Sequence, residues 1–573
     1  VQGQPDHRDR DDMAGIWRSA QRRRNEDLRI WLRPSTSQPI DGDPTMKSTA
    51  RLLNLYECIY GLAVVVGLAV SGFAAASLLS FPGVWFLAPP ALAPFGLLAF
   101  ATARRLSEFR RYAHIPGPKP SFLLGSLRSL LLHEHGARDR ALVELHQAYG
   151  PVVKVHMAWG GTPFVSLSVA PKELGQKDMD SNRVADRTVL SLSLMGLKRG
   201  ERHMAHRQRM TPHFAPKAVL QGAHRMEEVS SLYLRTWRSG ATRHGSLKAD
   251  LHHWSANSLG SFLCGPEWEQ RADLSEYLAA IGQLEEAISL RAFHPFFVRW
   301  LFPVRELRTR AAYRYLFDHF ELALARRLQR VKPGMEDEPR DVLGTLASLS
   351  REPSDGKAWS HGECVEEMIS LVAGGTDAMS YTLAQALYLL SRNPDVQDEA
   401  RARIPQATNA GKCPADLFVL NVLHETMRLF PAVPFSSKIS EARSIAVEGV
   451  AIPAGTNVMW MKTAVGLNEA LFADARRFNP DRFAAGPRGA RPAESLASAM
   501  PFGAGARHCI GRHQAEYLCT NFLSAVLSEF ELVPVHDVAV TFSATVSVTP
   551  SSVPVQLVPR PVRVRAEQVA IGA

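Results

Sequence analysis

Cysteine is scarce in this 573-residue chain: six residues, Cys58, Cys264, Cys364, Cys413, Cys509 and Cys519, with no Cys-x-x-Cys pair and no Cys/His zinc spacing. That excludes a disulfide framework and a structural zinc site, and it places the bulk of the chain in a reducing compartment. Internal repeats and long low-complexity linkers are missing as well, so the chain is not a solenoid or an array. No nucleic-acid module accompanies the formal charge of +10, and Lys and Arg are spread along the whole length. The excess therefore points to an anionic surface or partner and not to nucleic acid. The first 45 residues hold eight Arg but also eight acids, which excludes an acid-poor transit peptide. The chain opens on Val1, and Met46 stands as a candidate start.

Charge is wholly absent from 58 to 103. The first half of that run, about 58–81, is long enough to cross a bilayer core of ~30 Å as a helix. The second half contains Pro82, Pro89, Pro90 and Pro94 and reads either as a broken second span or as an interfacial segment. Arg104, Arg105, Arg110 and Arg111 follow, which by the positive-inside rule leaves the downstream chain on the cytoplasmic side. The stretch Ile115-Pro116-Gly117-Pro118-Lys119-Pro120 excludes helix and central strand and reads as a stiff hinge. Beyond it helical periodicity dominates, with short β-like runs near 151–156, 444–452 and 553–558. The expected organisation is a polar extension (1–57), a hydrophobic anchor (58–103), a basic segment and hinge (104–120), one large mainly α domain with small β-sheets (121–560) and a tail (561–573).

The stretch richest in chemistry is Pro501-Phe502-Gly503-Ala504-Gly505-Ala506-Arg507-His508-Cys509-Ile510-Gly511-Arg512. Three glycines around one cysteine permit a tight loop whose backbone can approach a flat ligand. Arg507 and a helix starting after Gly511 are expected to stabilise a thiolate, and such a thiolate is a good iron ligand whose electron donation favours O–O cleavage. The bland alternative is a Gly-rich turn that merely contains a cysteine. Glu425-Thr426-Met427-Arg428 lies 84 residues earlier on an expected helix, where i and i+3 share a face. Such a pair means little alone; Phe478-Asn479-Pro480-Asp481-Arg482-Phe483 between it and Cys509 gives it context. A long apolar helix is expected to open at Ser360-His361-Gly362-Glu363, a capping box, and to stop at Asn393-Pro394. Gly374-Gly375 in its middle marks a close approach or a local distortion.

These motifs, in this order and spacing, resemble the cytochrome P450 family. The loop matches Phe-x-x-Gly-x-Arg-x-Cys-x-Gly through Phe502, Gly503, Gly505, Arg507, Cys509 and Gly511. The resemblance implies the mainly helical P450 fold, with haem b between the long helix and the loop. Cys509 would ligate the iron, Phe502 would shield the sulfur and Arg507 would pair with a haem propionate. Glu425, Arg428 and Arg482 would form a structural triad. The implied reaction inserts one oxygen atom from O2 into a lipophilic small molecule, with electrons from NADPH through a flavoprotein reductase. That partner would dock beside Arg507, Arg512 and His513. The anchor adds an endoplasmic-reticulum membrane location, with the catalytic domain on the cytosolic face.

Three departures from the family pattern stand out. The usual acid–Thr pair of the distal helix reads Asp377-Ala378, leaving Thr382 one turn on as the hydroxyl on the same face. Proton delivery through Asp377 must then use water, a substrate hydroxyl or Thr382. The alternative is a P450-fold enzyme that isomerises, dehydrates or transfers oxygen from hydroperoxides without a reductase. The family's Trp-x-x-x-Arg reads His203-Met204-Ala205-His206-Arg207, and a strand Arg is replaced by Lys438, both sets facing propionates by resemblance. Substrate recognition is expected from 182–197, 371–378, 434–439 and 546–553.

Overall fold

The computed structural model describes residues 88–126, 138–157, 161, 163–169, 179–181, 190–198, 200–268, 274–293, 303–330, 341–351, 359–409, 418–440, 443–484, 499–536, 538, 540, 542–544 and 547–561. The expected span at 58–81 lies outside these residues, and among the described residues no helix is long and apolar enough to cross a membrane. From Ala88 onward the second half of the uncharged run is not broken. It enters one continuous helix, α1 (Ala88–Arg111), whose early prolines Pro89 and Pro90 sit in the first turn, where a missing N–H costs nothing.

The basic end of α1 is bonded into the domain. Arg105 is buried, pairs with Glu108 and donates to Met157 O at 2.7 Å and Phe122 O at 3.2 Å. Arg111 donates to Ala454 O. The segment read as a hinge is packed as well: Ile115 is 1% exposed, and Pro116 O accepts from Lys154 N at 2.8 Å. Gly117, at φ 149°, sits where a Cβ would meet the Lys154 carbonyl, so the turn lies hard against the strand. The stiffness of the Pro-Gly run fixes the chain to the sheet instead of letting it pivot.

Helices form most of the rest: α2 (Arg138–Tyr149), α3 (Glu201–Met210), α4 (Pro216–Arg238), α5 (Leu247–Cys264), α6 (Ser275–Phe293), α7 (Pro303–Arg330), α8 (Val342–Arg351), α9 (His361–Arg392), α10 (Pro394–Asn409), α11 (Phe418–Leu429), α12 (Lys462–Gly466) and α13 (Arg512–Glu529). Strands β1 (Val152–Val155), β2 (Phe164–Leu167), β3 (Met179–Ser181), β4 (Phe435–Ser440) and β7 (Asn457–Met461) make a five-stranded sheet in the order β1-β2-β7-β4-β3. Only β2 and β7 run parallel in it. The pairs β5 (Ile445–Val447)/β6 (Val450–Ile452), β8 (Phe530–Pro534)/β11 (Val555–Pro559) and β9 (Phe542–Ala544)/β10 (Val548–Pro550) are two-stranded. The three β-like runs of the sequence thus fall on β1, on the β5/β6 hairpin and on β11.

The core is built around α9, 32 residues long, or ~48 Å at 1.5 Å per residue. Its capping box is formed: Ser360 Oγ accepts from Glu363 N, and the Glu363 carboxylate accepts from Ser360 N at 2.8 Å. The helix is unbroken at Gly374-Gly375, so the glycines mark a close approach. A Cβ on Gly375 would stand 2.6 Å from Leu259 Cδ2, which lets α5 pack against α9 along this face. Trp254 of α5 stacks on Phe522 of α13 at 4.2 Å between ring centroids, closing the other side of the core.

Candidate functional site: a thiolate cradle under the long helix

The Cys509 loop is a string of reversals before α13. Gly503 (φ 73°) and Gly505 (φ 71°) take left-handed conformations that a side chain would strain. Gly503 N donates to Met500 O, His508 N to Gly505 O, and Cys509 N to Phe502 O at 2.8 Å. The loop folds back on itself and presents the Cys509 sulfur to a cavity of about 540 Å³, which lies between it and α9. That volume is ordinary for a site of ~300–1,000 Å³. Cys509 is surrounded by protein yet keeps accessible surface, because the sulfur opens into this cavity.

Burial pushes the Cys509 thiol up. A hydrogen bond from the Gly511 backbone N–H, then the charges of Lys462 and Arg207, pull it down, and Glu516 pushes it up again. Arg507, expected from the sequence to stabilise the thiolate, is not among these influences. Its terminal nitrogens donate to Leu194 O at 3.2 Å and Leu197 O at 2.6 Å, tying the loop to the 190–198 segment. The same segment is held from above by α9, where Glu366 accepts from Leu192 N and Glu367 from Leu194 N at 2.8 Å.

Arg207, Arg507 and Lys438 all line the cavity. Arg207 donates to His508 O at 2.8 Å, and Lys438, reaching from β4, donates to Ala504 O at 3.0 Å. His203 does not line it. It is buried on the turn of α3 before Arg207, and its imidazole is too short to reach where the guanidinium does. Its neighbour His206 stacks on Trp359 at 3.7 Å and meets Glu367 at 3.0 Å, a pair the sequence reading missed. Lys462, also missed, follows β7 into the cavity wall, is 4% exposed and donates Nζ to Pro501 O at 2.9 Å. Burial lowers its pKa to about 8 against the opposing pull of Cys509.

These residues fit the flat iron porphyrin that the resemblance implies. The Cys509 thiol faces the cavity from the loop, Phe502, Leu259 and Met379 give apolar walls, and Arg207, Arg507 and Lys438 stand in the wall for two carboxylates. Of the expected recognition segments, Leu194 and Met195, then Leu371, Gly374, Gly375 and Ala378, and Phe435 to Lys438 contribute to the wall. Residues 182–189 lie outside the described residues, and no described residue of 546–553 lines the cavity.

On α9, Ala378 and Thr382 face the cavity but Asp377 does not. One residue of helix is ~100° of rotation, which turns Asp377 toward α5 and α6. There its carboxylate meets His252 Nε2 at 2.5 Å and accepts from Tyr381 at 3.3 Å. Thr382 Oγ1 donates to Ala378 O at 2.7 Å, so that hydroxyl is spent on the backbone. Glu285 of α6 accepts from Ser547 at 2.9 Å, and burial, then the charge of Asp377, hold its carboxyl well above the usual range. Lys248 also feels Asp377.

A group raised in the folded state lends stability fully present below its unfolded pKa and lost as pH rises through the folded value. Thermal stability should therefore fall as pH rises from the ordinary carboxylate range, where the unfolded chain ionises first, through the raised folded value of Glu285. Glu285→Gln should flatten that limb by differential scanning calorimetry across pH; an unaltered limb would exclude Glu285 as its source.

Away from the cavity, Glu425 forms a bidentate pair with Arg428 at 2.6 and 2.7 Å and accepts from Arg482 at 3.3 Å, all buried.

The cytochrome P450 family model matches residues 115–556. A rat mitochondrial 25-hydroxyvitamin D-1 alpha hydroxylase is 30% identical over 284 residues, about half of either chain (48% of this one, 56% of the relative). Cytochrome P450 monooxygenase fscF of Fusarium equiseti is 24% identical over 81% of this chain and 92% of its own. The cyclooctat-9-en-7-ol 5-monooxygenase of Streptomyces melanosporofaciens is 26% identical over 68% and 84%. A crystal structure of a cytochrome P450 (CYP102L1) superposes with a TM-score of 0.65 at 18% identity, over 78% of this chain and 99% of that one. With the family model spanning most of the chain and the Cys509 loop closing a porphyrin-sized cavity under α9, the protein belongs to the cytochrome P450 family, as a haem-thiolate oxidoreductase.

Proposed function

We propose that the protein is a monooxygenase that inserts one oxygen atom from O2 into a lipophilic organic substrate, with NADPH-derived electrons supplied by a flavoprotein reductase. The observation that carries this reading is the single sulfur of Cys509 beneath an apolar cavity roofed by α9. Bound there, haem supplies dioxygen binding and electron transfer to it. Arg207, Arg507 and Lys438 hold the carboxylate edge, and Phe502 covers the thiolate. The wall above is mostly apolar, with Ser289, Ser370 and Ser436 as scattered hydroxyls, which favours a largely hydrocarbon substrate bearing few polar groups. The net positive charge suits an acidic donor, and Arg512, partly exposed and bonded to Glu516 at 3.0 Å, stands at the Cys-loop side where it would approach. An endoplasmic-reticulum membrane location, with the catalytic domain facing the cytosol, belongs to the same proposal and rests on the uncharged run 58–103.

His252 is partly exposed, and its bond to Asp377 joins solvent to the buried face of α9 beside Ala378. Protons for the reaction enter by this pair, with a water or a substrate hydroxyl completing the path past Ala378. The second reading, a hydroperoxide isomerase or dehydratase needing no reductase, is favoured by one observation: no threonine hydroxyl stands at 378, and Thr382 is bonded to the backbone.

One experiment separates the two. Turnover driven by NADPH and reductase should be present, and Asp377→Asn should lower it by ~100-fold, the usual scale of acid–base catalysis. Turnover driven by an organic hydroperoxide should be untouched by that substitution, since the oxygen arrives already reduced and protonated. Rapid isomerisation of a lipid hydroperoxide with no NADPH-driven turnover would select the second reading.

A further inference from the structure

Lys462 stands apart among the charged groups of the cavity wall. It is the lone charge in the apolar run Val458-Met459-Trp460-Met461-Lys462-Thr463-Ala464-Val465, and its side chain is buried. An ammonium in such a place is costly unless an anion offsets it. Its Nζ donates to a neutral acceptor, Pro501 O, at 2.9 Å. Pro501 adjoins Phe502, whose carbonyl accepts the Cys509 N–H at 2.8 Å. The ammonium therefore sits one peptide and one hydrogen bond from the sulfur-bearing residue. Lys438 touches the same loop farther along, at Ala504 O.

The other charges near the sulfur are already engaged. Arg207 is spent on His508, and the carboxylate of Glu516 is shared by His424 at 3.1 Å and Arg512 at 3.0 Å. The anion left to answer Lys462 is the Cys509 thiolate, which lines the same cavity.

We propose that Lys462 is a positioning residue for the thiolate, a buried fixed cation that pins the Cys509 loop through Pro501 and biases the iron toward its reduced state. The inference rests on the haem-thiolate reading. Reduction of ferric to ferrous iron adds one electron and thus one negative charge to the site. A fixed positive charge in a weakly polarisable surrounding stabilises that added charge, and it withdraws electron density from the sulfur.

The test uses the purified holoenzyme with Lys462→Met, Lys462→Gln and Lys462→Arg. Spectroelectrochemical titration should show the ferric/ferrous equilibrium of both neutral variants moved about tenfold toward ferric, about 59 mV for one electron. The Arg variant should stay within about threefold of the unaltered protein. In the ferrous carbonyl complex the C–O stretch should fall in the Met and Gln variants, because a more strongly donating sulfur feeds electron density through the iron into CO. A cation that served only a haem carboxylate would leave that stretch in place.

An unchanged midpoint in either neutral holoenzyme overturns the proposal. Loss of haem from both neutral variants, with the Arg variant retaining it, also overturns it in favour of a purely structural cation. Cys509 ligation is read separately in the same samples: absence of the red-shifted thiolate band from the unaltered protein would remove the haem-thiolate reading itself, independently of Lys462.

Discussion

Cys509→Ala should give a protein that loses the red-shifted ferrous–CO band and all detectable NADPH-driven oxygenation. Sulfur is the only atom that the loop offers the cavity as a soft, anionic ligand. The loop's other side-chain groups are engaged, Arg507 on Leu194 O and Leu197 O and the His508 imidazole with Gly505 O at 2.9 Å and Arg207 at 3.0 Å, and its carbonyls are bonded too, with Pro501 O taken by Lys462, Ala504 O by Lys438, and Phe502 O by Cys509 N. Alanine leaves these bonds intact, so the loop and the cation set survive and the variant should still fold. The side chain changes by one atom in a cavity of about 540 Å³. The loss is therefore chemical and not architectural. Circular dichroism and the denaturation midpoint should stay within about 1 kcal/mol of the unaltered holoenzyme once haem content is matched, since surface and cavity-facing changes without a buried partner are small. Cys519 also lines the cavity, but burial pushes its thiol up to about 12, so it is a poor substitute ligand. A thiolate band persisting in Cys509→Ala would mean that Cys519 or another sulfur takes the iron, and the site would need to be redrawn.

Much of this site was legible in the sequence because its parts are local. A loop that needs left-handed glycines around a cysteine writes itself in consecutive residues, and a Glu-x-x-Arg pair on one helical face does the same. The capping box at Ser360 and the close approach at Gly375 are likewise local consequences of helix geometry. The partners of Asp377 were not legible. Rotation along the helix turns it away from Ala378, but His252 lies 125 residues earlier and Glu285 on a further helix, and no spacing rule brings such residues together. Lys462 did leave a signal, one charge in an eight-residue apolar stretch, which a strand-and-core reading passes over. The α1 end and the 115–120 segment were misjudged for a common reason. Basic and Pro-rich runs are usually solvated or flexible, yet Arg105 in the one and Ile115 and Pro118 in the other are buried against the domain.

Arg428→Ala should be the most destabilising single change, costing ~3–5 kcal/mol, the scale for removing one partner of a buried ion pair. Arg428 is 1% exposed and its fork serves two purposes at once. Two nitrogens hold Glu425 at 2.6 and 2.7 Å, while the guanidinium also donates to Gly466 O, to Ala475 O at 2.7 Å and to Arg477 O at 3.2 Å. It thereby fastens α11 to the chain between α12 and Arg482, the stretch that leads on to the Cys509 loop. Gly466 is required for this contact, because a Cβ there would stand 2.1 Å from Arg428 O. Alanine would strand the Glu425 carboxylate with Arg482 at 3.3 Å and Asn479 N at 2.9 Å, and would orphan the buried carbonyls of Gly466 and Ala475. Lysine keeps the charge but cannot reproduce a planar fork reaching five acceptors, so Arg428→Lys should recover less than half of the loss. Urea titration of the holoenzyme, followed by haem absorbance and far-ultraviolet circular dichroism, measures this. The double variant Glu425→Gln/Arg428→Met, which removes both charges, should be less destabilised than Arg428→Ala alone, because no uncompensated carboxylate remains. If Arg428→Ala lost under 1 kcal/mol with haem retained, the network would be incidental to the fold, and the hold on the Cys509 side would have to come from Lys438 and Lys462 instead.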